Sequence, residues 1–472
     1  MSVCTPRITR RGRNIVTVLT LLLVCAYPFG AAADTSVVIL AEQPRWQISR
    51  YLVGMHLVYS SCPDKVFANG KIAHWAKQAG IATARYPGGT VVKHWSWRNP
   101  TGLIPADRWS PSWNPSNTAP SASWMSLDEY LAFADRSAMT PMFGVNSLSG
   151  YKHGRVEESI RRAALMVRYV KAKGHGGAFW YIGNEESYQY EGNIVGYAEI
   201  FRQHAVAMKR VDPAIKIFWN LNHPDPGKIK TFLRHDGGTS DGLETHGKWP
   251  YGGDPRNFKP GTFEQWLEEV PLQDRKNHRT WREAASEYRR AAEQAGRKHY
   301  LIANNEYGIG KNRNIQGFTR YTYGLLMTEL LQELFLGNWD MSCFWDTIRP
   351  DPFGLLSPNH GYRLNPFHLG LQLLGEAQGR TMLEVKTNDP RVYGFAAGKG
   401  NEILLYLINK RQSKRGLSIS LSAGTATKAT GSVMRGTEDS WGELAELPVV
   451  VGQTTTASLP PLSYCRVRFV VK

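Results

Sequence analysis

Two glutamates close apolar runs of strand length in this sequence: Ala178-Phe-Trp-Tyr-Ile-Gly-Asn-Glu185 and Tyr300-Leu-Ile-Ala-Asn-Asn-Glu306. An apolar run that stops at Asn-Glu is the pattern of a buried parallel strand whose C-terminal end opens into a site. A carboxylate beside a core is expensive, so two such placements ask for a chemical reason. One strand-end glutamate would serve as half of a structural ion pair, whereas a matched pair favours chemistry. Two carboxyl groups facing each other across a cleft can cleave a glycosidic bond. One protonates the leaving oxygen, and the other attacks the sugar carbon or activates water. Glu186 competes with Glu185, but one residue further on it turns toward loop or solvent.

The elements that must position these residues alternate in type. Strand patterns fall at Tyr51 to Tyr59, Thr83 to Gly89 (ending in a turn), Pro141 to Ser147, the first glutamate run, Ile215 to Leu221, Gly242 to His246, the second glutamate run and Met341 to Asp346. Helical spacing lies between them: Lys65 to Ala79, Leu127 to Ser137, Val156 to Val170, Ile194 to Val211, Arg282 to Ala295 and Ile315 to Leu336, with Phe367 to Gln378 last. Eight strands alternating with helices predict a (β/α)8 TIM barrel over 51–379, with Glu185 closing strand four and Glu306 closing strand seven. A doubly wound open sheet is the alternative, but no Gly-rich dinucleotide fingerprint opens it. After Gly379 short strands separated by Gly, Ser and Thr predict a β-sandwich over 380–472. The segment 34–50 carries Val37-Val-Ile-Leu40, a strand expected to pair with that sandwich. The stretch from Trp95 to Trp124 holds Trp97, Trp109 and Trp113. It follows strand two, which in a barrel puts it on the catalytic face.

Export is read from the first 33 residues. Arg7, Arg10, Arg11 and Arg13 precede an apolar run too short to span a bilayer, and Gly30-Ala-Ala-Ala33 supplies small residues for cleavage. The mature chain is therefore expected to be secreted or periplasmic, without stable membrane insertion. Val24 before Cys25 is larger than a lipid-attachment motif wants. The formal charge of +17 falls to +13 without the four signal arginines. That balance admits a polyanionic glycan as partner, while no nucleic-acid-binding motif stands out. The chain has 15 Trp, 21 Tyr and 17 Phe, which suit both a core and the flat platforms on which sugar faces stack. Cys62, Cys343 and Cys465 outlast the signal; their scattered spacing is no metal motif and allows at most one disulfide. Oligomeric state is not legible.

These motifs resemble a known group. Trp180-Tyr-Ile-Gly-Asn-Glu185 is similar to the acid/base motif of clan A retaining glycosidases, and Arg85-Tyr-Pro-Gly-Gly89 resembles the second-strand motif of α-L-arabinofuranosidases of glycoside hydrolase family 51. Phe143-Gly-Val-Asn146 matches that family's third-strand asparagine, followed here by Ser147-Leu-Ser-Gly150. The resemblance implies Glu185 as general acid/base, Glu306 as nucleophile and no metal or organic cofactor. It also implies Asn184 on the sugar 2-hydroxyl, Arg85 holding the nucleophile ionised, Asn146 lining the same subsite, His246 in the mouth and Trp345 as pocket floor. Two strands depart from the pattern. The nucleophile strand reads Asn304-Asn-Glu-Tyr307, and Thr245-His-Gly-Lys248 lacks the tyrosine that usually follows the histidine, leaving Tyr251 as substitute. With the basic charge, this keeps an acidic or sulfated polysaccharide open as substrate. A glycan-binding barrel without turnover is the reading from another class.

Overall fold

The computed structural model describes residues 35–472 except 94, 99–123, 186, 222–223, 250–260, 275–278, 310–314 and 438–439. The export segment, Trp109, Trp113, Glu186 and Tyr251 lie outside the described residues.

Eight parallel strands close a barrel in chain order: Gly54–His56, Thr83–Tyr86, Thr140–Val145, Phe179–Ile182, Lys216–Asn220, Gly242–Thr245, Leu301–Ile309 and Met341–Phe344. The eighth strand pairs with both the seventh and the first, which completes the ring. Alternation along each strand divides the side chains. Met142, Phe179, Tyr181, Phe218, Ala303 and Met341 fill the barrel interior. Phe143, Trp180, Ile182, Ile217 and Trp219 point outward, into the layer beneath the helices. Trp219, for example, stacks on Phe232 of helix Pro226–His235 at 3.9 Å between ring centroids. Burying one such ring is worth about 1.5–3 kcal/mol, so the layer amply fixes the strand order. Capping boxes start two of the outer helices, Ser126 with Glu129 and Thr280 with Glu283.

The structure refines several expected boundaries. The stretch Lys65 to Ala79 is two helices, Asp64–Phe67 and Lys71–Gln78, separated by Gly70 in the left-handed region. The helix expected from Ile315 begins at Arg320, because Ile315–Gln316 pairs instead with Gly261–Thr262. The seventh strand does not stop at Glu306 but runs on to Ile309.

Thr35–Gln47 and the nine strands from Thr381 onward form one ten-stranded, mostly antiparallel sheet. Thr35–Gln47 lies inside it, antiparallel to Thr381–Thr387 and parallel to Arg415–Leu421. The sheet doubles over an apolar core that includes Val37, Ile39, Leu405, Leu407, Val467 and Phe469. Helix Arg320–Leu336 separates this sandwich from the barrel and is buried on nearly every face. Cys62, Cys343 and Cys465 are free thiols, each buried apart from the others, and burial pushes all three up. Among the described residues no helix is long and apolar enough to cross a membrane.

Candidate active site

The barrel interior changes from apolar to charged toward the C-terminal strand ends. Arg85 leaves the second strand and is fully buried. Its guanidinium lies 3.9 Å over the Tyr181 ring, and its Nη1 donates to the Gly88 carbonyl (3.1 Å). Nη2 donates to Asn184 Oδ1 (2.8 Å) and pairs with Glu244 Oε1 (2.5 Å), while Nη1 reaches Glu306 Oε1 (3.2 Å). One arginine thereby ties strands two, four, six and seven together, which suits its planar fork of donors.

Glu306 reaches the mouth through a local irregularity. Ala303 faces inward and Ile302 outward, so strict alternation would send residue 306 outward as well. The register with the eighth strand shifts between Asn304 and Tyr307, and Tyr307 packs outward. The bulge re-aims the carboxylate. Gly89 makes room for it, since a Cβ there would lie 2.7 Å from Glu306 Oε1 and 3.3 Å from the Trp345 ring. The Pro-Gly-Gly of the second-strand motif thus acquires a steric reason.

Glu185 stands past the fourth strand in the left-handed region, with φ of 51°. Its N–H donates to Asn220 Oδ1 (2.7 Å), which anchors that turn to the fifth strand. His246 stands between the glutamates. Its Nδ1 is 2.5 Å from Glu185 Oε1; its Nε2 is 3.1 Å from Glu244 Oε1 and 3.6 Å from Glu306 Oε1. Asn304 holds the loop that carries it, accepting from the Gly247 N–H (3.0 Å) and donating to the Gly247 carbonyl (3.2 Å). Lys248 places Nζ 3.3 Å from Glu306 Oε2 and 4.9 Å from the centre of the Trp345 ring. Trp345 in turn meets His56 edge-on at 4.5 Å.

Three carboxylates, Glu185, Glu244 and Glu306, therefore face three cationic groups, Arg85, His246 and Lys248. Burial works to raise the Glu185 carboxyl, but the charge and hydrogen bond of His246 outweigh it and hold it down at about 2. Burial works to lower His246, yet the charges of Glu306 and Glu185 push the imidazole up to about 9. Glu244 is likewise held down, its burial outweighed first by Arg85. His56 lies well below its ordinary range, from burial and then the Arg85 charge, and stays neutral. Ligand-type atoms of Glu185, His246 and Glu306 lie within 4.8 Å of one another. A metal ion there would meet the fixed charges of Arg85 and Lys248 as well, so proton and sugar chemistry suit the trio better.

The structure thus brings Arg85, Asn184, Glu185, His246, Glu306 and Trp345 together. Asn146 is spent elsewhere. Its Nδ2 donates to Ser149 Oγ (2.9 Å) and its Oδ1 accepts from the Ser149 N–H (3.1 Å), beside a small cavity lined by Trp95, Trp97 and Met166. The short side chain closes its own turn, as Asn commonly does after a strand. Tyr251 falls outside the described residues. Sequence reasoning missed Glu244, Lys248, Asn220 and His56. Glu244 had a signal: it lies two residues before His246, on the same strand face.

No family model matches the chain, and no curated protein matches it. Solved structures do. The family 51 arabinofuranosidase of Xanthomonas axonopodis pv. citri superposes with a TM-score of 0.70 at 15% identity, over 92% of this chain and 99% of its own. The α-L-arabinofuranosidase of Thermotoga maritima, in complex with arabinose, gives 0.71 at 15% identity, over 93% and 100%. A family 44 xyloglucanase of Paenibacillus polymyxa gives 0.64 at 12% identity, over 93% and 100%. The chain shares the barrel-plus-sandwich architecture of these clan A enzymes.

Proposed function

We propose that the protein is an exported retaining glycoside hydrolase, similar in action to α-L-arabinofuranosidases and independent of metal or organic cofactor. The observation that carries this is that one carboxylate oxygen of Glu185 and one of Glu306 lie within 4.8 Å of each other at the barrel mouth. Retaining catalysis works with carboxyl groups about 5–5.5 Å apart, whereas inversion needs about 6.5–9.5 Å to admit a water. Glu306 is the nucleophile. Its side chain is 5% exposed and held between Arg85 and Lys248. Glu185, 29% exposed, faces the leaving group as acid and later as base. Asn184, oriented by Arg85, is placed to meet the sugar 2-hydroxyl, and Trp345 floors the subsite.

A second reading of the substrate rests on Lys248. A lysine beside the nucleophile suits a sugar bearing a carboxylate or sulfate, as the basic composition also does.

The test is a panel of aryl arabinofuranosides, xylosides, galactosides and uronides, together with neutral and acidic polysaccharides, assayed on the full chain. The product anomer is read by proton NMR. Turnover should occur with retained configuration and vanish in Glu185→Ala and Glu306→Ala. An inverted product overturns the double displacement, and glycan binding without turnover overturns the enzyme.

A further inference from the structure

We propose that Glu244 is a positioning residue for the reaction: it is the standing counterion of Arg85, and it lets Glu306 give up its charge to the sugar without stranding that arginine. This rests on the glycosidase reading above and concerns how the site tolerates the covalent step.

Arg85 is fully buried, and a guanidinium keeps its charge throughout the working pH range. It therefore needs a carboxylate at every stage of a reaction. Among the described residues two carboxylates touch it: Glu306 Oε1, 3.2 Å from Nη1, and Glu244 Oε1, 2.5 Å from Nη2. Its other partners, the Asn184 amide oxygen, the Gly88 carbonyl and the Tyr181 ring, bring no full charge. The two carboxylates are not equivalent. Glu306 stands at the mouth and is the one to be esterified, whereas Glu244 is fully buried, with no surface open to a sugar. Glu244 Oε1 also accepts from Asn220 Nδ2 (2.9 Å), and Asn220 Oδ1 accepts from the Glu185 N–H (2.7 Å). A backbone N–H only donates and an ionised carboxylate only accepts, so both neighbours fix the same orientation of that amide. The oxygen that holds Arg85 thereby anchors, through Asn220, the turn that carries the second glutamate.

The asymmetry matters when the nucleophile is consumed. In the first step a bond forms between a Glu306 oxygen and the anomeric carbon, the carbon–oxygen bond to the leaving group breaks, and a proton passes from Glu185 to the departing oxygen. Glu306 is then a neutral ester. Lys248, the other cation beside it, keeps some contact with water, its side chain being 14% exposed, whereas Arg85 has none. A buried charge that loses its partner is strongly unfavourable, so without Glu244 the ester would form against that penalty. With Glu244 in place, Arg85 keeps the nearer of its two carboxylates throughout. In the second step water attacks the anomeric carbon, the ester bond breaks, Glu185 takes the water's proton, and Glu306 regains its charge. Removing Glu244 therefore opposes the first step and not the second.

Two measurements on the full-length protein test it. In the first, a 2-deoxy-2-fluoro glycoside of the accepted sugar, with a dinitrophenyl leaving group, is used to accumulate the ester. Intact-protein mass spectrometry times its formation and, after removal of excess donor, its hydrolysis. Glu244→Gln keeps the acceptor oxygen and removes the charge. Ester formation should slow on the order of 10²-fold with hydrolysis no slower, and Glu244→Asp, which restores the charge, should recover part of the loss. Equal losses in both steps, or an Asp variant no faster than Gln, indicate a merely structural residue and overturn the proposal. The second compares denaturant unfolding of Glu244→Gln and Glu306→Gln. Glu306→Gln has the charge state of the ester and leaves Arg85 its nearer partner, so it should be the less destabilised of the two. A Glu244→Gln chain that fails to fold while Glu306→Gln folds is the extreme of the same result, and Glu244→Asp then carries the kinetics, slowing formation more than hydrolysis. Glu306→Gln losing as much stability as Glu244→Gln, or more, would make the nucleophile the counterion and overturn the proposal. A parent that forms no ester and turns over no glycoside overturns the retaining reading and the catalytic part with it, while the unfolding comparison still reads which carboxylate holds Arg85.

Discussion

The protein buries charge in two places, and the two are built differently. At the seam between barrel and sandwich, Glu329 and Lys410 are both fully buried and 2.9 Å apart. Glu329 also accepts from Tyr393 Oη (2.5 Å) and from the Trp266 indole. Its neighbour Glu333 takes both arms of Arg282, each at 2.8 Å. Every oxygen there is committed to a donor on another element. At the mouth, by contrast, carboxylates share donors: Arg85 serves Glu244 and Glu306, and His246 serves Glu185, Glu244 and Glu306. The seam gives each glutamate its own cation and shares only the Tyr393 hydroxyl between the two, whereas the mouth spreads its cations over several carboxylates and keeps Glu185 partly open. A cluster that locks domains needs the first arrangement, and one that moves a proton needs the second.

The largest expected effect separates them by activity. Glu306→Gln keeps the shape and removes the charge, so turnover should fall to background, and thermal stability should fall as well because Arg85 and Lys248 lose a carboxylate partner. Glu329→Gln should leave the rate of the folded protein untouched. Measuring kcat/KM and Tm on both variants checks the contrast. Equal loss of activity in the two would show that the seam also serves the reaction.

Next in size is a loss of stability. Lys410→Met leaves Glu329 buried without its cation and should cost about 3–5 kcal/mol in denaturant unfolding. The double variant Lys410→Met with Glu329→Leu should recover most of that, since a well-packed apolar pair of similar volume replaces a buried ion pair at little cost. A double variant no better than the single one would show that Trp266 and Tyr393, not the ion pair, hold the seam.

The difference between the clusters also explains what the sequence could reveal. Buried parallel strands read as apolar runs, so the barrel order was legible, and the Asn-Glu endings marked two of its carboxylates. The bulge at Glu306 was not legible, because it depends on pairing with the eighth strand. Gly242-Leu-Glu-Thr245 is less apolar than the other barrel strands for a physical reason: Glu244 interrupts its pattern to pair with Arg85. The seam left no local trace. Lys410 lies 81 residues from Glu329, and two glutamates in a helix ordinarily read as a solvated face. Asn146 was drawn to the site by its resemblance to a family asparagine, and here a serine three residues on engages both of its polar groups.

The smallest expected effect is in how stability follows pH, and it sharpens the contrast most finely. Glu185 falls in the fold from its ordinary 4.5 to about 2, despite burial, because His246 holds its charge. Its contribution is therefore complete above about pH 4.5 and lost as pH falls toward 2. His246 rises from 6.5 to about 9, so its contribution is complete below about pH 6.5 and lost as pH climbs through 9. Together the pair should give a plateau in Tm between about pH 4.5 and 6.5 that declines on either side. Glu329 acts in the opposite sense. Burial raises its carboxyl despite Lys410, so its ionisation works against the fold as pH rises through the acidic range. Tm profiles of His246→Gln and of the seam double variant, each set against the parent, separate the two contributions. The first should flatten the alkaline decline; the second should alter only the acidic side. An alkaline decline that persists unchanged in His246→Gln would assign it to another group and remove the charged histidine from the account of the mouth.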